Sequence, residues 1–128
     1  MSESTITRGE LAQCAISVSD LERSKTFYRD LLGLAFLFEA ANVVFFDLGG
    51  VRFMLGAAGT RDVKVGDTLL YFACADLDRA HQALTTAKVP CDAAPHRVAP
   101  LGQVELWMAF YRDPDGYRFG LIEERPRG

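Results

Sequence analysis

One six-residue pattern occurs twice in this chain and constrains its fold more than anything else. Val18-Ser19-Asp20-Leu21-Glu22-Arg23 recurs, about 56 residues later, as Cys74-Ala75-Asp76-Leu77-Asp78-Arg79. Each copy follows an apolar, strand-like run and opens a stretch with apolar residues at helical spacing. In each, the aspartate is placed to accept a hydrogen bond from an N–H in the first helical turn. The element order around the two copies repeats as well, so the chain reads as two versions of one module that together build one domain.

In the first module, residues 11–18 form a strand and Asp20 caps a helix. Leu21, Phe27, Tyr28, Leu31 and Leu32 lie on one face of that helix, which Gly33 ends. Strands are expected at 34–40, 42–48 and 51–55, the last two joined by the turn-forming Gly49-Gly50. Residues 57–67 are polar, contain glycine and read as a linker. The second module repeats the order. A strand at 68–74 leads to a helix capped by Asp76, with Leu77, Ala80, Ala83, Leu84 and Ala87 on one face. A short proline-interrupted edge strand at 90–98 follows, then strands at 104–112 and 117–124. Residues 1–10 read as a loose tail, which leaves modules at 11–56 and 68–124.

The 128 residues suit one domain, and 49% hydrophobic content is enough for a core. No apolar window is long enough to span a membrane, and the polar N-terminus lacks the pattern of a secretory signal. A cytoplasmic protein is expected. The net charge of −3, with both signs interspersed, argues against nucleic acid as a partner. Cys14, Cys74 and Cys91 contain no C-x-x-C pair and read as small buried apolar residues rather than a disulfide or zinc framework.

The closing stretch, Tyr111-Arg112-Asp113-Pro114-Asp115-Gly116-Tyr117-Arg118-Phe119-Gly120-Leu121-Ile122-Glu123, reads as two strands around a tight turn. Together with "VSDLERSKTFYRDLLGL" and "ADLDRAHQAL" it resembles the vicinal-oxygen-chelate superfamily, which includes glyoxalase I, extradiol dioxygenases, fosfomycin-resistance enzymes and bleomycin-resistance proteins. The resemblance covers residues 11–124. It implies an α+β fold of two tandem βαβββ modules, each a curled mixed sheet, around a cavity. It also implies a homodimer and, in the metal-using members, one metal ligand on the first and last strand of each module. Those places fall on Gln13, Met54, Leu69 and Gly120.

That set does not suit a catalytic divalent ion, which takes several His, Glu or Asp ligands. Gln13 offers an amide oxygen and Met54 a soft thioether, while Leu69 and Gly120 offer no side-chain donor. No cofactor is therefore expected. Alternation from these four positions turns Gln13, Ala15, Ser17, Arg52, Met54 and Gly56 of the first module toward the cavity, and Leu69, Tyr71, Ala73, Arg118, Gly120 and Ile122 of the second. The family match adds Met108 and Phe110, with Trp107 and Tyr111 on the other face. Such a wall is apolar and aromatic, with Gln13, Ser17 and Tyr71 as polar anchors. Arg52 and Arg118 either bind an anionic group of a ligand or pair with neighbours such as Glu39, Asp47 or Glu105.

Three residues are candidates for acid–base chemistry. Tyr71 lies in the inferred wall. His96 lies in the edge segment, and histidine is the side chain suited to acid–base work near neutral pH; the alternative is a loop histidine. Glu105, beside Trp107, has a raised pKa if the indole shields it from water, and is otherwise a solvated strand residue. His81 reads as a solvated helix residue. Three functions compete on these residues. One is metal-free binding of a small anionic or aromatic molecule. Another is a lyase, isomerase or dioxygenase-type enzyme using acid–base groups or a rearranged metal site. The third is a structural or regulatory partner that takes no ligand.

Overall fold

The computed structural model describes residues 11, 13–58 and 69–127. The expected tail at 1–10 and most of the expected linker lie outside this set. Contacts divide the chain into two compact units, Met1–Val63 and Lys64–Gly128.

The first unit contains β1 (Gln13–Val18), α1 (Leu21–Thr26) with a π-helical continuation Phe27–Leu31, β2 (Ala35–Ala40), β3 (Val43–Leu48) and β4 (Val51–Ala57). Its sheet has the order β1-β4-β3-β2, with β1 parallel to β4 and the other pairs antiparallel. The second unit contains β5 (Leu70–Ala73), α2 (Leu77–Thr86), β6 (Cys91–Leu101), β7 (Val104–Arg112) and β8 (Arg118–Pro126). Its order is β5-β8-β7-β6, with β5 parallel to β8. Each unit is thus βαβββ, and the α+β expectation holds.

The repeated aspartates do the same work in both units. Asp20 Oδ1 accepts from the Arg23 N–H at 3.0 Å, and Asp76 Oδ1 from the Arg79 N–H at 3.1 Å. Each fills one of the orphan donors of a helix start. The second helix has a further partner: the Leu77 N–H donates to Glu123 Oε1 at 2.8 Å.

Alternation along the strands separates a helix-covered face from an open face. In the first sheet Val18, Val44, Phe46, Phe53 and Leu55 are fully buried on the covered side. The Tyr28 ring meets Phe53 edge-on at 5.2 Å and Phe27 edge-on at 5.1 Å. The π turn, closed by Leu32 N–H to Phe27 O, keeps adjacent Phe27 and Tyr28 both buried. In the second sheet Ala109, Tyr111, Phe119 and Leu121 are buried, with Tyr111 stacked on Phe119 at 5.7 Å, and Leu77 and Leu84 are the buried residues of α2. Each of these large apolar side chains contributes about 1.5–3 kcal/mol on burial.

Some local expectations need correction. β6 is an edge strand, as expected, but it has 11 residues rather than a short proline-limited run. Its register against β7 shifts at three places, which lets an edge strand carry Pro95 and Pro100 without breaking the ladder. β4 runs on to Ala57, beyond the expected strand at 51–55, and the Ala58 N–H donates to Val18 O. Cys14 and Cys74 are half-buried, and burial pushes both thiols up. Cys91 is exposed. His81 is not a solvated helix residue: its Nδ1 lies 2.8 Å from the hydroxyl of buried Tyr111.

Candidate functional site

The closing turn sets the register of β8. Asp113 Oδ1 accepts from the N–H groups of Asp115 at 2.9 Å and Tyr117 at 2.8 Å, and Gly116 takes φ +92°. β8 then pairs with β7 without interruption, which places Phe110 opposite Gly120, Met108 opposite Ile122 and Arg112 opposite Arg118. On its other side β8 places Gly120 beside Tyr71. The open face of the second sheet therefore carries Tyr71, Met108, Phe110, Arg112, Arg118, Gly120 and Ile122. His96, opposite Met108, joins them from β6.

Gly120 is not an empty place on this face. A Cβ there would lie 2.8 Å from Tyr71 Cδ1 and 3.1 Å from Phe110 Cε1. The two rings meet edge-on with centroids 6.0 Å apart and fill the volume a side chain would need. The first sheet makes the opposite choice at the matching positions. There small Ala15 stands beside Met54, where the second sheet has large Tyr71 beside Gly120. The two pairs trade volume between neighbouring strands, as close packing requires.

Around the rings lies a charged group. Arg118 Cζ sits 4.3 Å from the centre of the Phe110 ring, and its Nε is 3.3 Å from Asp92 Oδ2. Arg112 Nε lies 2.7 Å from the same oxygen and its Nη1 donates to Gly116 O. His96 lies 6.4 Å from Phe110, centroid to centroid. Its Nδ1 is 2.8 Å from the Ala94 carbonyl, which can only accept, so Nδ1 carries a proton. In the neutral ring Nε2 is then the unprotonated nitrogen.

On the first sheet's open face, Arg52 Nε donates to Gln13 Oε1 at 3.2 Å, and Gln13 Nε2 lies 3.9 Å from Met54 Sδ. Among the described residues no carboxylate comes within ion-pair distance of Arg52. Glu39 is taken by Lys25, Asp47 by the Gly50 N–H and Glu105 by Arg97. Phe45, opposite Met54, stacks on Phe38 at 4.7 Å. Ser17 lies on the same exposed side of β1 as Gln13.

Glu105 departs from its expectation. It shares the β7 face of Trp107, Ala109 and Tyr111, opposite the face of Met108 and Phe110. The Trp107 Nε1–H donates to its Oε1 at 3.0 Å, and Arg97 sits 2.9 Å from Oε2. Both hold its carboxyl below the usual range rather than above it, the indole first because its N–H stabilises the charged form. Trp107 is also covered by the Arg125 guanidinium at 4.1 Å.

The four family ligand positions do not form a donor set. Leu69 and Gly120 carry no donor, the Gly120 volume is filled, and Gln13 is engaged with Arg52 and Met54. Glu123, the nearest carboxylate along β8, faces α2 and is committed to the Leu77 N–H and to Arg125 Nε. Among the described residues no three His, Cys, Asp or Glu side chains gather closely enough to hold a metal ion. None of their helices is long and apolar enough to cross a membrane. What sequence reading missed is the Asp92–Arg112 pair. No signal in the sequence marked it, because the register shifts of β6 that bring Asp92 to this face break the alternation count.

Comparison with known proteins agrees with the topology. A lactoylglutathione lyase from Agrobacterium tumefaciens is 22% identical over 90% of this chain and 93% of its own, with a TM-score of 0.67. A protein of unknown function from Agrobacterium tumefaciens is 26% identical over 93% and 97%, with a TM-score of 0.73. A superfamily member from Sphaerobacter thermophilus is 25% identical over 91% and 98%, with a TM-score of 0.71. Residues 10–121 match the family model described as Glyoxalase/Bleomycin resistance protein/Dioxygenase superfamily, and the chain belongs to that superfamily.

Proposed function

We propose that this protein binds a small organic molecule without a metal ion, on the open face of its second sheet. The observation that carries the reading is the filling of the Gly120 position by Tyr71 and Phe110. A carboxylate ligand at this place would need both rings to move. The replacement surface is aromatic with a few polar groups, the usual character of a small-molecule site. Gln13, Arg52 and Met54 offer a second polar–apolar surface on the first sheet. A homodimer belongs to the same reading, supported by the exposed apolar side chains of Phe36, Leu37 and Phe38 on edge strand β2.

Metal analysis of the purified protein, followed by addition of Ni, Zn, Mn or Fe, tests the proposal. Sub-stoichiometric metal, and no conversion of methylglyoxal and glutathione above background, are expected. Stoichiometric metal on nitrogen or oxygen ligands would overturn it. A second reading, metal-free acid–base catalysis, is favoured by the pairing of Tyr71 and His96 around Phe110, with His96 Nε2 as base. Turnover of a bound ligand that His96→Gln abolishes without weakening binding would select it.

A further inference from the structure

We infer that the Arg112–Asp92–Arg118 group makes this face a site for a planar aromatic carboxylate, held by its ring at Tyr71 and by its carboxylate at Arg118. The inference rests on the preceding reading of the face as a small-molecule site and specifies its ligand.

Charge comes first. Two guanidinium groups share one carboxylate oxygen, Asp92 Oδ2, at 2.7 and 3.3 Å. One positive charge is left without a counter-ion among the described residues. The two arginines differ in what they have to spare. Arg112 spends Nε on Asp92 and Nη1 on the Gly116 carbonyl. Arg118 spends only Nε, and among the described residues its two terminal nitrogens have no hydrogen-bond partner. Its side chain is 43% exposed. A guanidinium with both terminal nitrogens open presents the planar fork that matches a carboxylate.

The second component is the ring wall. Phe110 already has Arg118 over one face, Tyr71 at its edge and His96 beside it. Tyr71 is 49% exposed, so its ring is the open aromatic surface of this group. Gly120 lets Tyr71 lie flat against the sheet, since any Cβ would push the ring away. Arg118 is two residues from Gly120 on the same face, and its guanidinium and the Tyr71 ring both border the Phe110 ring, one over its face at 4.3 Å and the other edge-on at 6.0 Å. Packed by Phe110, Arg118 also keeps its orientation before a ligand arrives, which lowers the ordering cost of binding. An aliphatic acid would use only the fork and a neutral arene only the ring.

Calorimetric titration of the full chain with benzoate, benzamide and cyclohexanecarboxylate tests this, with metal content measured on the same samples. Benzoate is expected to bind about tenfold or more tighter than either analogue. Arg118→Met should weaken benzoate by about tenfold and leave benzamide unchanged. Arg118→Lys, which keeps the charge and loses the fork, should fall between. Arg29→Gln, a charge-matched change at an arginine paired with Asp30 on the first helix, controls for net charge. Benzamide binding as tightly as benzoate, or Arg118→Met retaining full benzoate affinity, overturns the carboxylate assignment while leaving the face a small-molecule site. Absence of saturable binding by all three probes overturns both. Benzoate binding that needs stoichiometric metal assigns the carboxylate to the metal and overturns both as well. If Arg118→Met fails to fold by circular dichroism, Arg118→Lys with unchanged benzoate affinity still refutes the role of the fork.

Discussion

At Gly120 two effects oppose one another. Alanine would gain about 0.5–1 kcal/mol in strand backbone freedom, but its Cβ would overlap Tyr71 and Phe110. Overpacking costs about 1–3 kcal/mol. Tyr71 is half exposed and can swing aside, so Gly120→Ala should destabilise by about 1 kcal/mol, and the loss should shrink in the Tyr71→Ala background, where only the Phe110 contact is left. Urea unfolding of the four proteins in a double-mutant cycle measures this. At Tyr111, fully buried, desolvation first and the neighbouring Cys91 and Cys74 second push the phenol up to about 12. The folded state favours the neutral form, so the stabilisation is fully present below the unfolded value of about 10. It is lost as pH rises toward about 12. Tyr111→Phe should flatten the fall in stability across that alkaline window. At Glu105 the sign is reversed. Its lowered pKa contributes stability above the unfolded value of about 4.3, lost as pH falls through the folded value. Trp107→Phe removes the largest cause, and the Glu105 carboxyl, followed by NMR titration, should then ionise at higher pH.

At the scale of elements, the two helices share a cap but not a support. Asp20 and Asp76 each satisfy one N-terminal donor, yet among the described residues α2 alone also receives a carboxylate from its sheet, Glu123 on the Leu77 N–H. Asp76→Ala should cost about 0.5–2 kcal/mol. Glu123→Gln keeps an acceptor for Leu77 but loses the charge that faces the helix start and Arg125. Its cost, read by urea unfolding at low salt, should shrink when salt is added, because screening weakens the lost charge interaction and leaves the retained hydrogen bond in place. β6 shows the same logic on a strand: proline forces it to the edge, and its bulges bring Asp92 and His96 to the open face. That placement was not legible in the sequence, because alternation counts residues and a bulge breaks the count.

For the whole molecule, family membership and the proposed metal-free state rest on different features. Membership follows from topology and from the match over residues 10–121. The proposed metal-free state follows from four side chains. Gly120→Glu alone should therefore recruit no stoichiometric Ni or Zn, since Leu69 and Met54 still offer no suitable donor and the new side chain must first displace two rings. Metal analysis after reconstitution checks this outcome.

The family resemblance put donor-less Leu69 and Gly120 at ligand places, and the sequence by itself determined the repeat, the two helix caps and the strand faces. These are local or periodic properties, carried by spacing along the chain. Only the tertiary structure decided that Tyr71 fills the place of the absent side chain, that Arg97 pairs with Glu105, and that Arg112 and Arg118 share Asp92. Each depends on which strands are neighbours and in what register, and the ladder hydrogen bonds that set register join residues far apart in the chain.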